Sequence, residues 1–345
     1  MKKIGIFNFL TLFQNGRSKL KYEESTKNWY RGKLNFFSHK LKYASPAHLN
    51  FDTNNSPLPF IYMKSISRIL LLSILSTFFF SSLAFAKNKK VVFLADRGKN
   101  TEVHAHESGN AILANALEES GLGFDTAQFK GWPTDAKAFD GADSVVIFCN
   151  GGKGHLVMKH LDQFEKLIDS GVGFVFMHYA VEVPIGRAGE LMREAMGGYF
   201  ETHWSVNPHW TAEFKSLPKH PITRGVKPFT QKDEWYFHMR FQPEMKGVSP
   251  ILSAHPPKET MDRKDGPHSN NPHVRKSMTA GEIQHIGWAY QRPNGKGRGF
   301  GTTGGHYHNS WARDNWRTTI LNAIVWTCGV EVPQGGVPSI AQLIK

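Results

Sequence analysis

Histidines recur in this chain a few residues after apolar, strand-like runs. Residues 91–95 lead to His104 and His106, and residues 145–149 lead to Gly151-Gly152 and His155. Residues 174–177 run straight into His178, and residues 299–303 lead to His306 and His308. Imidazole changes charge near neutral pH and is the commonest metal ligand, so each could act as acid, base or ligand. His178 is the best placed, with Tyr179 beside it and Glu182 four residues on. Neither Cys nor Ser stands at 178, 179 or 180, which argues against an acyl-transfer nucleophile on a strand-to-helix turn. His104-Ala105-His106-Glu107 is an H-x-H-E cluster. In extended backbone the i and i+2 side chains point the same way, so both imidazoles could reach one cation. Zinc accepts His nitrogen and carboxylate oxygen and can leave a position for water. A solvated loop before a helix, with Glu107 complementing the helix N-terminus, explains the same residues as well. His306 and His308 repeat the spacing after Gly304-Gly305, a pair suited to a site wall or to a plain turn. The metal candidates are therefore His104, His106, His178 and His306, with zinc the expected ion. The catalytic candidates are His178, Glu182 and His306.

Tyr179, His203, Trp204, Glu234 and His308 are candidates for a substrate rim, with His209 nearby. Aromatic faces suit sugar rings, although a single Trp is more often packing. Asp233-Glu234 with Glu201 could supply paired carboxylates for glycoside chemistry, and surface charge explains them equally. The loop Gly151-Gly152-Lys153-Gly154 could offer N–H groups to an anion but lacks P-loop spacing. No nucleotide cofactor is expected, and His155 reads as a helix-start residue.

These residues converge only if the runs before them are neighbouring parallel strands, because ligands bind beyond the carboxyl ends of such strands. Residues 91–95, 145–149 and 173–177 are all-apolar, as strands buried on both faces are. Helical patterns lie between them at 109–120 and 155–170, where Val157, Leu161, Phe164 and Ile168 share a face. Strand alternating with helix predicts a doubly wound α/β sheet. From about residue 184 the pattern loosens. A helix at 188–196 is followed by loops, a long polar stretch at 256–281 reads as a surface excursion, and order returns at 284–290, 298–303 and 311–328.

Residues 63–86 have a basic start with Lys64 and Arg68, an apolar core at 69–80 and an Ala84-Phe85-Ala86 exit. That order is the layout of a secretory signal peptide, and the core is short for a spanning helix. Residues 1–62 then read as an over-called upstream stretch, or as a disordered cytoplasmic tail if the segment stays as an anchor. The expected mature chain from Lys87 comprises an α/β domain over 87–332 and a loose tail over 333–345. It is placed in the periplasm or outside the cell, with no stable membrane anchor. Of the formal +13 charge, +7 lies in 1–62 and +2 in 63–86, which leaves +4 and removes the case for nucleic acid. Cys149 and Cys328 read as buried small hydrophobes without a disulfide framework.

Taken together, residues 173–180, Gly197-Gly198-Tyr199-Phe200 with His203, and His220-Pro221-Ile222-Thr223 with Gly225 resemble the ThuA-like (trehalose utilisation) family. Asp233-Glu234-Trp235-Tyr236 and residues 295–298 leading to Gly304-Gly305-His306 complete the pattern, which runs from about Val91 to Val332 and is most similar to the secreted bacterial type. The resemblance implies a flavodoxin-like, class I glutamine amidotransferase-like fold and a role with trehalose or related, oxidised disaccharides. In that superfamily the elbow carries a catalytic Cys. Here it reads Met177-His178-Tyr179, so amidotransferase activity is not carried over. Two functions stand: an exported sugar-directed hydrolase, lyase or isomerase with a small carbohydrate substrate, or a non-catalytic carbohydrate-binding or scaffold protein.

Overall fold

The computed structural model describes residues 87–96, 102–293 and 295–339. The upstream stretch 1–62, the signal segment 63–86 and residues 340–345 lie outside them. In chain order the elements are β1 (Lys89–Ala95), α1 (His106–Glu119), β2 (Phe124–Lys130), β3 (Ala142–Phe148), α2 (Leu161–Asp169), β4 (Gly173–Met177), α3 (Arg187–Met196), β5 (Gly198–Tyr199), β6 (Trp210–Phe214) and β7 (Phe229–Asp233). They continue with β8 (Arg240–Phe241), β9 (Val248–Ala254), α4 (Pro272–Thr279), β10 (Gln284–Gln291), β11 (Arg298–Thr302) and α5 (Asp314–Thr327).

The last five residues of β1, β3 and β4 are all buried. Because strand side chains alternate between faces, each strand feeds two cores. Val91, Phe93, Val146, Phe148, Val175 and Met177 pack with Leu113 and Leu117 of α1 and Ile320 and Ile324 of α5. Val92, Leu94, Val145, Ile147, Phe174 and Phe176 pack with Phe164 of α2 and Leu191 and Met192 of α3. Burying each such side chain contributes roughly 2 kcal/mol. The seven-stranded sheet has the order β2-β1-β3-β4-β11-β10-β9. β2, β1, β3, β4 and β11 run parallel, and β10 and β9 are antiparallel additions at one edge. This is a doubly wound, flavodoxin-type α/β fold.

The expected single helix over 155–170 is interrupted. His155 caps a short 3-10 turn (Leu156–Lys159) by accepting the Val157 N–H, and α2 begins only after His160, whose φ is −138°. Three features were not anticipated: the β6–β7 hairpin, the edge strand β9, and α4 inside the presumed surface excursion. Residues 333–339, expected to be loose, are docked. Val337 is buried and donates its N–H to Asn322 Oδ1, and Arg317 Nε reaches Ser339 Oγ.

Candidate metal centre

Since β1, β4 and β11 are parallel, their carboxyl ends face the same way, and the segments that leave them meet. His178 follows β4 directly and opens a 3-10 turn with φ 54°. Val103 bridges Tyr307, the His104 N–H donates to the His306 carbonyl at 2.9 Å, and the His308 N–H donates to the Glu102 carbonyl at 2.8 Å. That short antiparallel pairing sets His104, itself at φ 52°, against His306. Left-handed backbone is sparsely used by non-glycine residues and persists only where the surroundings impose it. Gly304 and Gly305 make the approach possible. A Cβ at Gly304 would lie 2.3 Å from the Trp235 ring, and Gly305 has φ 115°.

Four ligand atoms converge here. His104 Nε2 is 3.0 Å from His306 Nδ1 and 3.3 Å from His178 Nε2, and the latter two are 3.3 Å apart. Glu234, just past β7, places Oε2 3.0 Å from His306 Nδ1 and 3.4 Å from His178 Nε2. All four atoms lie within 4.8 Å of one another. Ligands held at about 2.0 Å in a tetrahedron sit roughly 3.3 Å apart, so the five separations of 3.0–3.4 Å match edges of a cation site. His178 Nδ1–H donates to the Thr303 carbonyl at 2.9 Å, which leaves the Nε2 lone pair for the centre. Burial first, then the neighbouring imidazoles, hold both His104 and His178 below the ordinary histidine range, which keeps them in the neutral form that binds metals. The group could therefore hold a metal ion.

Asp233 supports two of the four. Its Oδ1 accepts the N–H groups of His306 and Glu234 at 2.9 Å each, and its Oδ2 accepts the Gly305 N–H at 3.2 Å. Tyr236 lies over the group with its hydroxyl 3.2 Å from His178 Nε2 and 3.4 Å from Glu234 Oε2. Tyr179 sets its ring against His104. His209 packs on the His306 ring, its Nε2 3.8 Å from Glu234 Oε1.

The remaining sequence candidates sit elsewhere. His106 is buried beside the group, not in it, and donates Nδ1–H to Asp96 at 2.8 Å. Glu182 pairs with His268 at 2.8 Å. Half-buried Trp204 is stacked on His273 and covered by the Arg240 guanidinium 3.4 Å from its ring, so its faces are taken by packing. Exposed His203 gives its N–H to the Pro267 carbonyl. His308 opens a 3-10 turn beyond the group. Glu201 is engaged by Arg240 and the Tyr199 hydroxyl, so it does not pair with Asp233-Glu234 as glycoside carboxylates would. His155 is buried with Nε2–H on the Ala180 carbonyl. Cys149 and Cys328 are free and buried, and burial pushes both thiols up, away from nucleophilic use. Glu234 entered from the sequence as rim and as one of a pair of carboxylates with Asp233, not as a metal candidate. Asp233 and Tyr236 entered through the carboxylate pair and the resemblance without a role at this centre, and His268, on a long loop, was not singled out.

The model of the ThuA family, described as trehalose utilisation, matches residues 90–327. The chain belongs to this family. Membership suggests a role in trehalose utilisation. Among curated proteins none matches the chain. Two solved structures are similar to it. A ThuA-like protein from Bacteroides uniformis is 17% identical, with 71% of this chain and 94% of that one covered at a TM-score of 0.49. A ThuA-like protein from Parabacteroides merdae is 17% identical, with 72% and 92% covered at a TM-score of 0.46.

Proposed function

We propose that this ThuA-family protein acts on a trehalose-type disaccharide or its keto form at a centre built from His104, His178, His306 and Glu234, with zinc as the ion. The convergence of three imidazole nitrogens and one carboxylate oxygen at 3.0–3.4 Å carries this reading. Three imidazoles and a carboxylate suit a borderline cation such as zinc. Such an ion polarises a carbonyl or lowers the pKa of water. The chain's own residues orient the sugar. Half-buried Tyr179 offers its hydroxyl and ring, buried Tyr236 sets its hydroxyl against His178 and Glu234, Asn207 steadies Glu234 through a 3.2 Å hydrogen bond to Oε1, and Asp233 fixes the backbone of both His306 and Glu234. The signal-like layout of residues 63–86 supports work outside the cytoplasm.

The test is metal analysis of purified protein together with assays on trehalose and its 3-keto derivative. One equivalent of zinc, its loss in His178→Ala and a matching loss of turnover are expected. A His178→Ala variant with undiminished turnover removes this centre from the reaction. Sugar binding that ignores a chelator and occurs without turnover favours a carbohydrate-binding scaffold instead.

A further inference from the structure

The excursion at 256–281 is not a free surface loop. Gly266 and Ser269 pair to close a tight turn, and that turn lies across residues 203–207. The His203 N–H donates to the Pro267 carbonyl at 2.8 Å and the Asn207 N–H to the His268 carbonyl at 3.1 Å. Arg263 holds both sides, with Nη1 on Asn207 Oδ1 at 3.2 Å and Nη2 on the His268 carbonyl at 3.0 Å. The same Asn207 steadies Glu234, so one side-chain amide links the turn to the candidate centre.

The turn delivers His268 to Glu182, with Nε2 2.8 and 3.1 Å from the two carboxylate oxygens. The Glu182 side chain is 4% exposed and the His268 side chain 37%, so a buried anion holds an imidazole that solvent or a ligand can reach. The His268 ring stacks on Phe200, and Phe200 packs against Tyr236, whose hydroxyl touches His178. The Tyr236 hydroxyl is 3.4 Å from Glu234 Oε2, and both Tyr179 and Tyr236 lie within electrostatic reach of Glu182 and Glu234. Gly152 lies beside both groups: a Cβ there would stand 3.6 Å from Glu182 Oε1 and 3.8 Å from the Tyr179 hydroxyl.

We infer that Glu182 and His268 are a second proton-transfer pair of the same pocket, in which His268 delivers a proton to an oxygen of the sugar bound at the His104–His178–His306–Glu234 centre. The inference rests on the proposed function. The step moves one proton: the His268 Nδ1–H bond breaks as the O–H bond forms on the glycosidic or carbonyl oxygen. The nitrogen keeps the electron pair, and the neutral ring stays anchored through Nε2–H on Glu182. Proton return comes from solvent, since among the described residues Nδ1 has no hydrogen-bond partner. The groups facing the imidazole agree with this state. The bond to Glu182 raises His268 above the usual histidine range against the opposing effect of burial, the Glu234 charge adds to it, and Arg263 opposes it.

The experiment uses zinc-loaded full-length protein. In His268→Gln, turnover of trehalose or its 3-keto derivative is expected to fall about 100-fold with zinc content and melting temperature unchanged. Added imidazole is expected to restore part of the rate in His268→Ala. An NMR titration should show the His268 ring returning toward the ordinary value near ~6.5 in Glu182→Gln. A zinc-loaded His268→Gln that keeps the wild-type rate, or a His268 that titrates alike in wild type and Glu182→Gln, overturns the pair. A wild-type protein that neither takes up zinc nor turns over either sugar overturns the proposed function and the pair with it, which separates the two failures.

Discussion

Asp233 is fully buried, yet its two oxygens serve five donors: the N–H groups of Glu234, Gly305 and His306, the Gln231 amide and the Ser310 hydroxyl. Burial pushes its carboxyl up while the three backbone bonds pull it down. In Asp233→Asn, one of these N–H groups must face an amide NH2. That is expected to cost about 2 kcal/mol in denaturant unfolding and to weaken zinc binding roughly 10–100-fold in a chelator competition. Full zinc affinity in the variant would show that the clamp does not position the ligands. The histidines make a second prediction, for the metal-free protein. His104 and His178 are held below the ordinary histidine range, chiefly by burial, and His155 is brought down to about 4. The unfolded chain takes up protons near pH ~6.5 while the folded chain refuses them until lower pH, so stability is present above ~6.5 and is lost as the pH falls. His155 alone contributes up to about 3 kcal/mol, lost between pH ~6.5 and 4. The melting temperature should fall from pH 7.5 to 5, and saturating zinc should move that fall to lower pH; a flat profile refutes the linkage. Three of the four candidate ligand residues, His104, His178 and His306, were legible because each imidazole follows an apolar run that reads as a buried strand. His106 shares the H-x-H spacing with His104, but its place at the start of α1 turns it onto Asp96.

Arg292 shows how the elements around the site are tied together without a carboxylate. It is 4% exposed and donates to the carbonyls of Ile168, Val172, Glu194, Ala195 and Lys296. These lie at the end of α2, just before β4, in the last turn of α3 and in the turn before β11, so one guanidinium collects four termini. Burial lowers its pKa to about 10, and it stays charged at neutral pH. Arg292→Met should destabilise by about 3 kcal/mol, because buried carbonyls lose their donors, and leave zinc stoichiometry unchanged. A loss below ~0.5 kcal/mol would mean that water replaces the guanidinium. Along the chain, the parallel core was readable for a related reason: strands buried on both faces need apolar residues at every position, as at 91–95 and 173–177. The second half was harder. In β9, Pro250 demotes a strand reading, and the strand sits at the sheet edge where a proline is tolerated. In β6, Trp-Thr-Ala-Glu-Phe alternates buried and exposed, but only five residues long and beside histidines that suggested a rim. α4 starts on Pro272 with few apolar residues, so only its first-turn proline announced it.

At the scale of the whole chain, both hydrophobic clusters and all four candidate ligand residues lie within the compact unit Ala84–Lys345. Its first strand begins at Lys89 and is paired on both sides along its length. The other end of the unit is fastened too: Val332 and Val337 are buried, and Gly336 fits because a Cβ there would meet Thr318 and the Arg224 carbonyl at 2.7 and 2.8 Å. If residues 63–86 are removed on export, N-terminal sequencing of the exported protein should begin at Lys87. The fragment 87–345 should then unfold in a single transition and bind one zinc, because it holds both described clusters and the four candidate ligand residues. Truncation to 87–332 removes Val337 and with it the donor to Asn322 Oδ1, so it should lower stability by about 2 kcal/mol. Its zinc stoichiometry should stay at one, since Asn322 lies on α5 and outside the candidate centre. An 87–345 fragment that fails to fold, while the full chain does, would mean that residues 1–86 take part in the mature protein and that the signal reading of 63–86 is wrong.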